Sequence, residues 1–550
     1  MKLKLSAAIV VIHVATNLAP AQTVKIFEDV PFYSMYHYLG EGQQLPPEAF
    51  SQIPAGAIRI HGYERDIISR KLSSEEIAQF GNGLKMNVKI KAACDNYDRI
   101  AGVNLALVPK GLSTYTWENQ QVQRIEIGRF ITPFMNKNKM PNEVPYSFQV
   151  DNVSQILHDA KLAAVYDFWI EFRADGYSEA ANSQVAGCAG RTDVFRGDLE
   201  FVSSQPFQSV GQNALLPLQY RKYLNNYNAT DVEGQTTRIV NFTLQEPMND
   251  ARLHLIISNH GANSGGEEYN RRKHFVYVDN QLVMEFTPGG KSCEDFRVYN
   301  TQGNGIYSSS PRTLRRWVSW SNWCPGDLIP NREIYLGNLS AGNHTVKIDV
   351  PDAKFVGKQG YFPISMYLQN APSNAEKCAQ PYDLKITEQS GTKVTLEWKD
   401  EPATMQWQTL WGRYNTYAGL MDEKLQEVSG EPKDTRADLM DGYRYEAFVQ
   451  AKCSNGLSSG FTSAVYTTVI MGTDEISQGK VSIYPNPVKD VVKVESTEKI
   501  EKVALFSLDG KKLAEKNSNI LNISNLPKGI YLLKADFTNG KSSTKKVVKE

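Results

Sequence analysis

The chain has 550 residues, with 60 Lys plus Arg against 60 Asp plus Glu, so no net field recruits nucleic acid and no acidic excess marks a disordered chain. At about 150 residues per domain the length implies three or four modules, and no apolar stretch approaches the roughly 20 residues that span a bilayer.

The first 21 residues read as an export signal: Lys2 and Lys4, a short apolar run interrupted by His13 and Asn17, then Ala19-Pro20-Ala21 before Gln22. Six cysteines in an exported chain form a disulfide set with 15 possible connectivities. Spacing pairs Cys378 with Cys453 near the two ends of one module and Cys293 with Cys324 in one loop-rich region, and leaves Cys94 with Cys188. None shows the CxxC spacing of a zinc site.

From Val24 to Ala371 short alternating runs are broken by Gly, Asn, Asp and Pro, which predicts antiparallel β-structure and little helix. Met86, Val88, Ile90 and Ala92 alternate with Lys85, Asn87, Lys89 and Lys91, and "HFVYVDNQLVMEF" predicts a hairpin turning at Asp279-Asn280. The region holds two sandwiches, 22–205 and 206–371, with the break placed in "VSSQPFQSVGQN". In "VYDFWIEFRADG", Tyr166, Phe168, Ile170 and Phe172 form a core face, and Asp167, Trp169, Glu171 and Arg173 a wet one.

Residues 372–470 form a third module. Trp398 lies on an early strand, Leu439 precedes Tyr445 by six residues, and Ala447, Val449 and Ala451 alternate after it. This resembles a fibronectin type III domain with Tyr445 as its tyrosine corner; the module is expected to be a spacer or binding accessory without chemistry. After a polar linker at 471–480, residues 481–550 carry "YPNP", "SLDGKKL" and "GIYLL" in order. They resemble the C-terminal sorting domain of type IX secretion in Gram-negative bacteria, which implies a secreted or cell-surface address and contact with the outer-membrane secretion machinery.

Three acidic positions stand out, each with an ordinary explanation. Asp98 and Arg99 in "CDNYDRIA" could be a solvated turn, Glu171 could sit on a wet strand face, and Glu268 in "NSGGEEYNRRKH" could belong to a charged loop. The wording around them changes this. "CDNYDRIA", "IEIGRFITPF", "FWIEF", "SNHGANSGGEEYNRRKH" and "NWCPG" resemble, in this order, the peptide:N-glycosidase F family over roughly residues 24–371.

That resemblance implies an all-β fold of two adjacent antiparallel jelly-roll sandwiches with the active cleft between them. It implies hydrolysis of the amide between N-acetylglucosamine and asparagine in N-glycoproteins or glycopeptides, which converts Asn to Asp and releases the glycan as a glycosylamine. No cofactor or metal is implied. Carried over by motif, the catalytic residues are Asp98, Glu171 and Glu268, with Asp98 expected to activate the water or relay its proton and the two glutamates to hold sugar hydroxyls and an ordered water. Arg99, Trp169, Arg173, His260 and Trp320 are assigned to substrate binding. The cluster of carboxylates is expected to raise at least one pKa.

The chain departs from the family pattern at several points. Tyr97 stands where Trp is familiar, Arg173 replaces an aromatic residue, "ISNHGA" lacks a Trp, and Trp320 lies near the place of an arginine, with Arg316 upstream. Asn270 stands where a cysteine is expected and Cys94 has no near neighbour, so of the family's disulfides the resemblance retains only Cys293–Cys324. The alternatives are an N-glycan-binding lectin, an endoglycosidase cutting between sugars and a copper monooxygenase, which His254, His260 and His274 do not support with an evident ligand set. The enzyme is expected to be a monomer and to bind no nucleic acid.

Overall fold

The computed structural model describes residues 22–34, 49, 51–62, 65–211, 213–225, 236–262, 266–319, 322–400, 404, 406–415, 419–440, 442–468, 481–508, 510–540 and 542–550. The expected signal segment, the 471–480 linker and Trp320 lie outside the described residues.

The first sandwich contains β1 (Gln22–Tyr33), β2 (Ala57–Gly62), β3 (Arg65–Lys71), β4 (Asn82–Ala92), β5 (Ile100–Pro109), β6 (Gln123–Ile131), β7 (Glu143–Gln149), β8 (Tyr166–Ala174) and β9 (Asp193–Gln205). One sheet runs β1-β9-β4-β7, the other β6-β5-β8-β3-β2, and all pairings are antiparallel. The alternation read in β4 holds: Met86, Val88 and Ile90 are buried in the core shared by the two sheets. Across that core Phe172 of β8 meets Phe32 of β1 edge to face at 4.9 Å, a favoured aromatic geometry.

The second sandwich contains β10 (Leu215–Leu224), β11 (Thr237–Leu244), β12 (Met248–Ile257), β13 (His274–Val278), β14 (Gln281–Phe286), β15 (Leu328–Ile329), β16 (Arg332–Leu339), β17 (Gly342–Asp349) and β18 (Phe362–Gln369). Its sheets run β10-β18-β12-β16 and β11-β17-β13-β14. The β13–β14 hairpin turns at Asp279 and Asn280, both at positive φ, as a two-residue turn demands.

β15 leaves its own sandwich and extends the β6 edge of the first, pairing Leu328 with Phe130 and Ile329 with Arg129. Ile131 N–H donates to Asp327 O at 2.9 Å and Gly326 N–H to Ile131 O at 3.0 Å. The "IGRFITP" and "NWCPG" strings therefore meet as the backbone zipper between the two sandwiches. Beside it Arg129 is fully buried. Its Nη2 donates to Glu126 at 2.6 Å, and its Nη1 to Ser258 Oγ at 2.8 Å and Pro363 O at 2.7 Å in the second sandwich.

The expected wet face of β8 is not wet. Trp169, Glu171 and Arg173 are all buried, because Tyr115 and Trp117 of the β5–β6 connection and Tyr220 of β10 close over that side. A sheet covered on both faces loses the polar-out alternation on which the expectation rested.

The third module packs the three-stranded sheet Tyr382–Ser390, Lys393–Lys399 and Lys433–Arg436 on a four-stranded one that includes Gln406–Asn415 and Arg444–Ala451. Trp398 and Trp407 meet edge to face in its core, and Tyr445 Oη accepts the Met440 N–H at 2.8 Å. The last module has a three-stranded and a four-stranded sheet around Val492, Val503, Leu505 and Leu533. The disulfides are Cys94–Cys188, Cys293–Cys324 and Cys378–Cys453. Among the described residues no helix is long and apolar enough to cross a membrane.

Candidate active site

Between β4 and β5 the chain makes a turn pinned by the Cys94–Cys188 disulfide and by Cys94 N–H bonding to Asp193 O at 2.9 Å. Asp95, 1% exposed, organises that turn. It accepts N–H bonds from Tyr97 at 3.0 Å and Tyr177 at 2.7 Å, and the Arg99 guanidinium through Nε at 2.6 Å and Nη2 at 3.2 Å. Arg99 also gives its backbone N–H to Thr132 Oγ1 at 2.7 Å, from the "RFIT" end of β6. The two aspartates of "CDNYDRIA" thus stand in different situations. Asp95 is the partner of Arg99, and Asp98, half-buried between them in sequence, has no ion pair among the described residues.

Glu268 comes from the β12–β13 connection of the other sandwich. Its Oε2 accepts the Gly261 N–H at 3.1 Å, and the Tyr269 hydroxyl is hydrogen-bonded to it. The loop is shaped from below by Asn322, whose Nδ2 donates to the carbonyls of Glu267 (2.9 Å), Glu268 (2.6 Å) and Asn270 (3.1 Å). Neighbouring Glu267 is tied down by Arg272 at 2.7 Å and the Lys354 N–H at 2.8 Å. Trp323 donates its indole N–H to Asn259 O at 2.8 Å and packs with Ile100 and Ile131 at the start of β5 and the end of β6. The "NWCPG" loop thereby braces both the Asp98 turn and the Glu268 loop.

The two carboxyls feel each other across the junction. Burial pushes the Asp98 carboxyl up to about 8, the negative charge of Glu268 pushes in the same direction, and Arg99 offsets only part of this. Glu268 is raised by burial, while the bonds from Tyr269 and Gly261 favour its ionised form. Two like charges in one partly dry site share a proton more readily than they both ionise, and with its carboxyl near 8 Asp98 keeps a proton at neutral pH. The hydroxyls of Tyr269 and Tyr307 also sense the Asp98 charge and are raised, chiefly by burial.

The remaining sequence-predicted residues lie elsewhere. Glu171 is fully buried opposite Asn104, five residues into β5 and so roughly 13 Å along the strand from its first residue. Arg124 Nε grips both its oxygens (2.9 and 3.0 Å), and Tyr115 Oη (2.9 Å) and Asn104 Nδ2 (3.0 Å) complete the cage. Trp169 is packed edge to face on Tyr115 at 5.4 Å inside an apolar cluster, with no face turned to the cleft. Arg173 is buried with Asp175 as its partner.

His260 lies 2.7 Å from the Ser258 hydroxyl and is held well below the usual histidine range by burial and the nearby charges of Arg129, Arg221 and Arg173. Ser258 also accepts from Arg129 Nη1 at 2.8 Å, which links the imidazole to the buried arginine. Sequence reading missed Asp95, Thr132, Tyr269 and Asn322. All four sit inside or beside the quoted strings, but nothing in their spacing distinguishes a clamp from a loop residue.

Among the described residues no three His, Cys, Asp or Glu side chains converge as a metal site. A cavity of about 1120 Å³ lies between β7, β14 and residues 374–382 and 457–460; Asn322 and Trp323 line it, and Asp98 and Glu268 do not.

Residues 23–182 match the family described as peptide-N-glycosidase F, N terminal, residues 226–369 its C-terminal counterpart, and residues 482–550 the secretion system C-terminal sorting domain. The first two matches together span more than half of the chain. Among solved structures the chain is similar to PNGF-II at 20% identity and TM-score 0.46, covering 64% of this chain and 65% of that one. It is also similar to PNGase F, a glycosylasparaginase from Flavobacterium meningosepticum, at 16% identity and TM-score 0.39, covering 64% and 97%. A third similarity is to the FN5 domain of Drosophila Lar, at 18% identity and TM-score 0.15, covering 17% and 96%. The chain thus spans just under two thirds of the PNGF-II chain. No curated protein matches it.

Proposed function

The chain belongs to the peptide-N-glycosidase F family, and from that premise we propose that it hydrolyses the amide between the innermost N-acetylglucosamine and asparagine of N-glycoproteins or glycopeptides. The observation that carries this reading is the meeting of Asp98 from the first sandwich with Glu268 from the second, at a junction where their charges couple.

Hydrolysing an unactivated amide needs a base for the attacking water, positive charge for the oxyanion and a proton for the departing nitrogen. Glu268, which accepts from Gly261 and Tyr269, is the more easily ionised carboxyl and takes a proton from water as the C–O bond forms. Asp98, protonated up to about pH 8, gives its proton to nitrogen as the C–N bond breaks. The products are aspartate and a glycosylamine, and the proton on Glu268 returns to Asp98. Arg99, oriented by Asp95, supplies fixed positive charge beside the reacting carbonyl.

This assigns Asp98 the donor role, where the sequence reading has it activate the water or relay its proton. Glu171, enclosed by Arg124, Tyr115 and Asn104, holds the cleft wall and does not touch the reacting atoms. The sorting tail at 482–550 and the expected signal at 1–21 support an enzyme exported by a Gram-negative bacterium and acting on N-glycoproteins outside the cell.

Mass spectrometry of a defined N-glycopeptide identifies the bond cut. Release of the entire glycan with conversion of Asn to Asp supports the amidase. A single N-acetylglucosamine left on asparagine would instead place cleavage between sugars, and an unaltered glycopeptide retained on the immobilised protein would mark a lectin.

A further inference from the structure

The fibronectin-like module does not hang off the two sandwiches as a spacer; it is built into the underside of the Glu268 loop. Arg271 lies three residues after Glu268, and its guanidinium joins three segments. Nε donates to Pro288 O at 2.8 Å, Nη1 to Val318 O at 2.7 Å and to Thr462 O at 2.9 Å, and Nη2 to Phe461 O at 2.5 Å. Phe461 and Thr462 belong to the third module, and Val318 ends the short helix Leu314–Val318 that leads to Asn322, the clamp on the Glu267–Asn270 carbonyls.

A second arginine on that helix makes the same crossing. Arg315 is fully buried, pairs with Glu446, donates Nη1 to Arg413 O at 3.1 Å and gives its backbone N–H to Glu423 Oε1 at 3.1 Å. All three partners are on strands of the third module. Between the arginines Val318 packs with Leu410, Phe448 and Phe461, each at most 1% exposed.

The module's sequence is adapted to this contact. Trp411, Ala447 and Val449 point into its own core, so Leu410 and Phe448 occupy the opposite face of the same two strands, which on a free-standing module would be polar. A Cβ on Gly412 would fall 2.1 Å from Arg315 Nε, and one on Gly460 would fall 2.2 Å from Gly289 O. Gln380 completes the seam. It accepts the Thr287 N–H at 2.7 Å and donates to the carbonyls of Thr287, Gly460 and Phe461.

We infer that the fibronectin-like module is a positioning element of the active site, holding the Glu268 loop and the Asn322–Trp323 loop in register through Arg271 and Arg315. The part concerning turnover rests on the proposed amidase function; the part concerning loop order does not. Neither arginine touches the reacting groups, so both are positioning residues.

The test uses the full-length chain with Gly412→Val, which adds bulk on the module's own strand against Arg315, and with Arg271→Met, which cuts the other crossing. Hydrogen exchange is followed over 266–272, 314–324 and, as an internal control, β4 and β9 of the first sandwich. In both variants amides in 266–272 and 314–324 are expected to exchange about tenfold faster or more, with the control strands unchanged. On a defined glycopeptide kcat is expected to fall about 10- to 100-fold with KM little altered, as misplacement of a reacting group does. Wild-type exchange in 266–272 and 314–324 in both variants overturns the inference. If exchange responds but the wild-type chain leaves every glycopeptide intact, the amidase reading fails and the positioning role stands.

Discussion

The guanidinium of Arg99 rests on the buried carboxylate of Asp95, with 2.6 Å between Nε and Oδ2, and the residue between them in reach of the cleft, Asp98, is left without an ion pair among the described residues. Asp95→Asn keeps one acceptor oxygen, enough for only one of the Tyr97 and Tyr177 N–H groups, which bond to different carboxylate oxygens, and it no longer anchors Arg99 by charge. Steady-state kinetics are expected to show kcat down roughly tenfold or more, with KM nearly constant. An unchanged kcat would mean that Arg99 needs no such orientation.

Turnover is expected to decline as pH rises through about 8, where Asp98 gives up its proton. The sign of the linked stability effect follows. A carboxyl whose folded pKa lies above its unfolded value binds more protons when folded, so it costs stability as pH rises from about 4 towards 8. Asp98→Asn removes that cost. Thermal unfolding is therefore expected to show the inactive variant melting above the wild type at pH 8, with the difference vanishing near pH 4; a variant that melts lower at pH 8 contradicts the assignment of the proton.

Glu171 and Arg124 form an ion pair with 0% and 7% of their side chains exposed. Removing one partner of such a pair costs about 3–5 kcal/mol. Glu171→Gln, which keeps the shape, is expected at the lower end of that range in urea unfolding, with Arg124→Met comparable. If Glu171→Gln unfolds like the wild type and only KM rises, Glu171 binds sugar directly.

The interface between the sandwiches carries an acid-sensitive element. Burial alone would raise Glu126, yet Arg129 and Arg221, with help from the Ser365 hydroxyl, outweigh it and hold it at about 2. A depressed carboxyl stabilises the fold fully above its unfolded pKa, near 4.3, and loses that contribution as pH falls through about 2, an amount of about 3 kcal/mol. The stability difference between the wild type and Glu126→Gln is expected to be constant above pH 5 and to shrink between pH 4 and 2. A difference that stays constant down to pH 2 would show that Glu126 is not held by the arginines.

Much of this was legible in the chain. Alternation at Met86, Val88 and Ile90 and the Asp279-Asn280 turn follow from local backbone preference, and the structure reproduces both. Asp98 and Glu268 were singled out only through the resemblance of the strings around them to a known family, and the structure places the two loops that carry them at one junction. What the sequence did not reveal was cover supplied from a distance. Trp169 and Arg173 alternate with core residues as surface residues do, and only the packing of Tyr115, Trp117 and Tyr220 over them makes them interior.

The same reason hid the third module's role. Leu410 and Phe448 could be read as core of an isolated sandwich, and Gly412 as an unremarkable strand glycine, until the Leu314–Val318 helix is laid against them. Asp95 was visible beside Asp98, but which of two nearby carboxylates holds an arginine depends on side-chain direction, which spacing through a turn does not encode.

The most direct test of the central claim is a single-turnover comparison of the wild type, Asp98→Asn and Glu268→Gln on one defined N-glycopeptide in ¹⁸O-labelled water, read by mass spectrometry. The account predicts that the wild type releases the intact glycan and places one heavy oxygen in the new aspartate, while each variant is slowed by about 10²–10⁴-fold. Near-normal turnover by Asp98→Asn, or release of glycan without the label in aspartate, would contradict it.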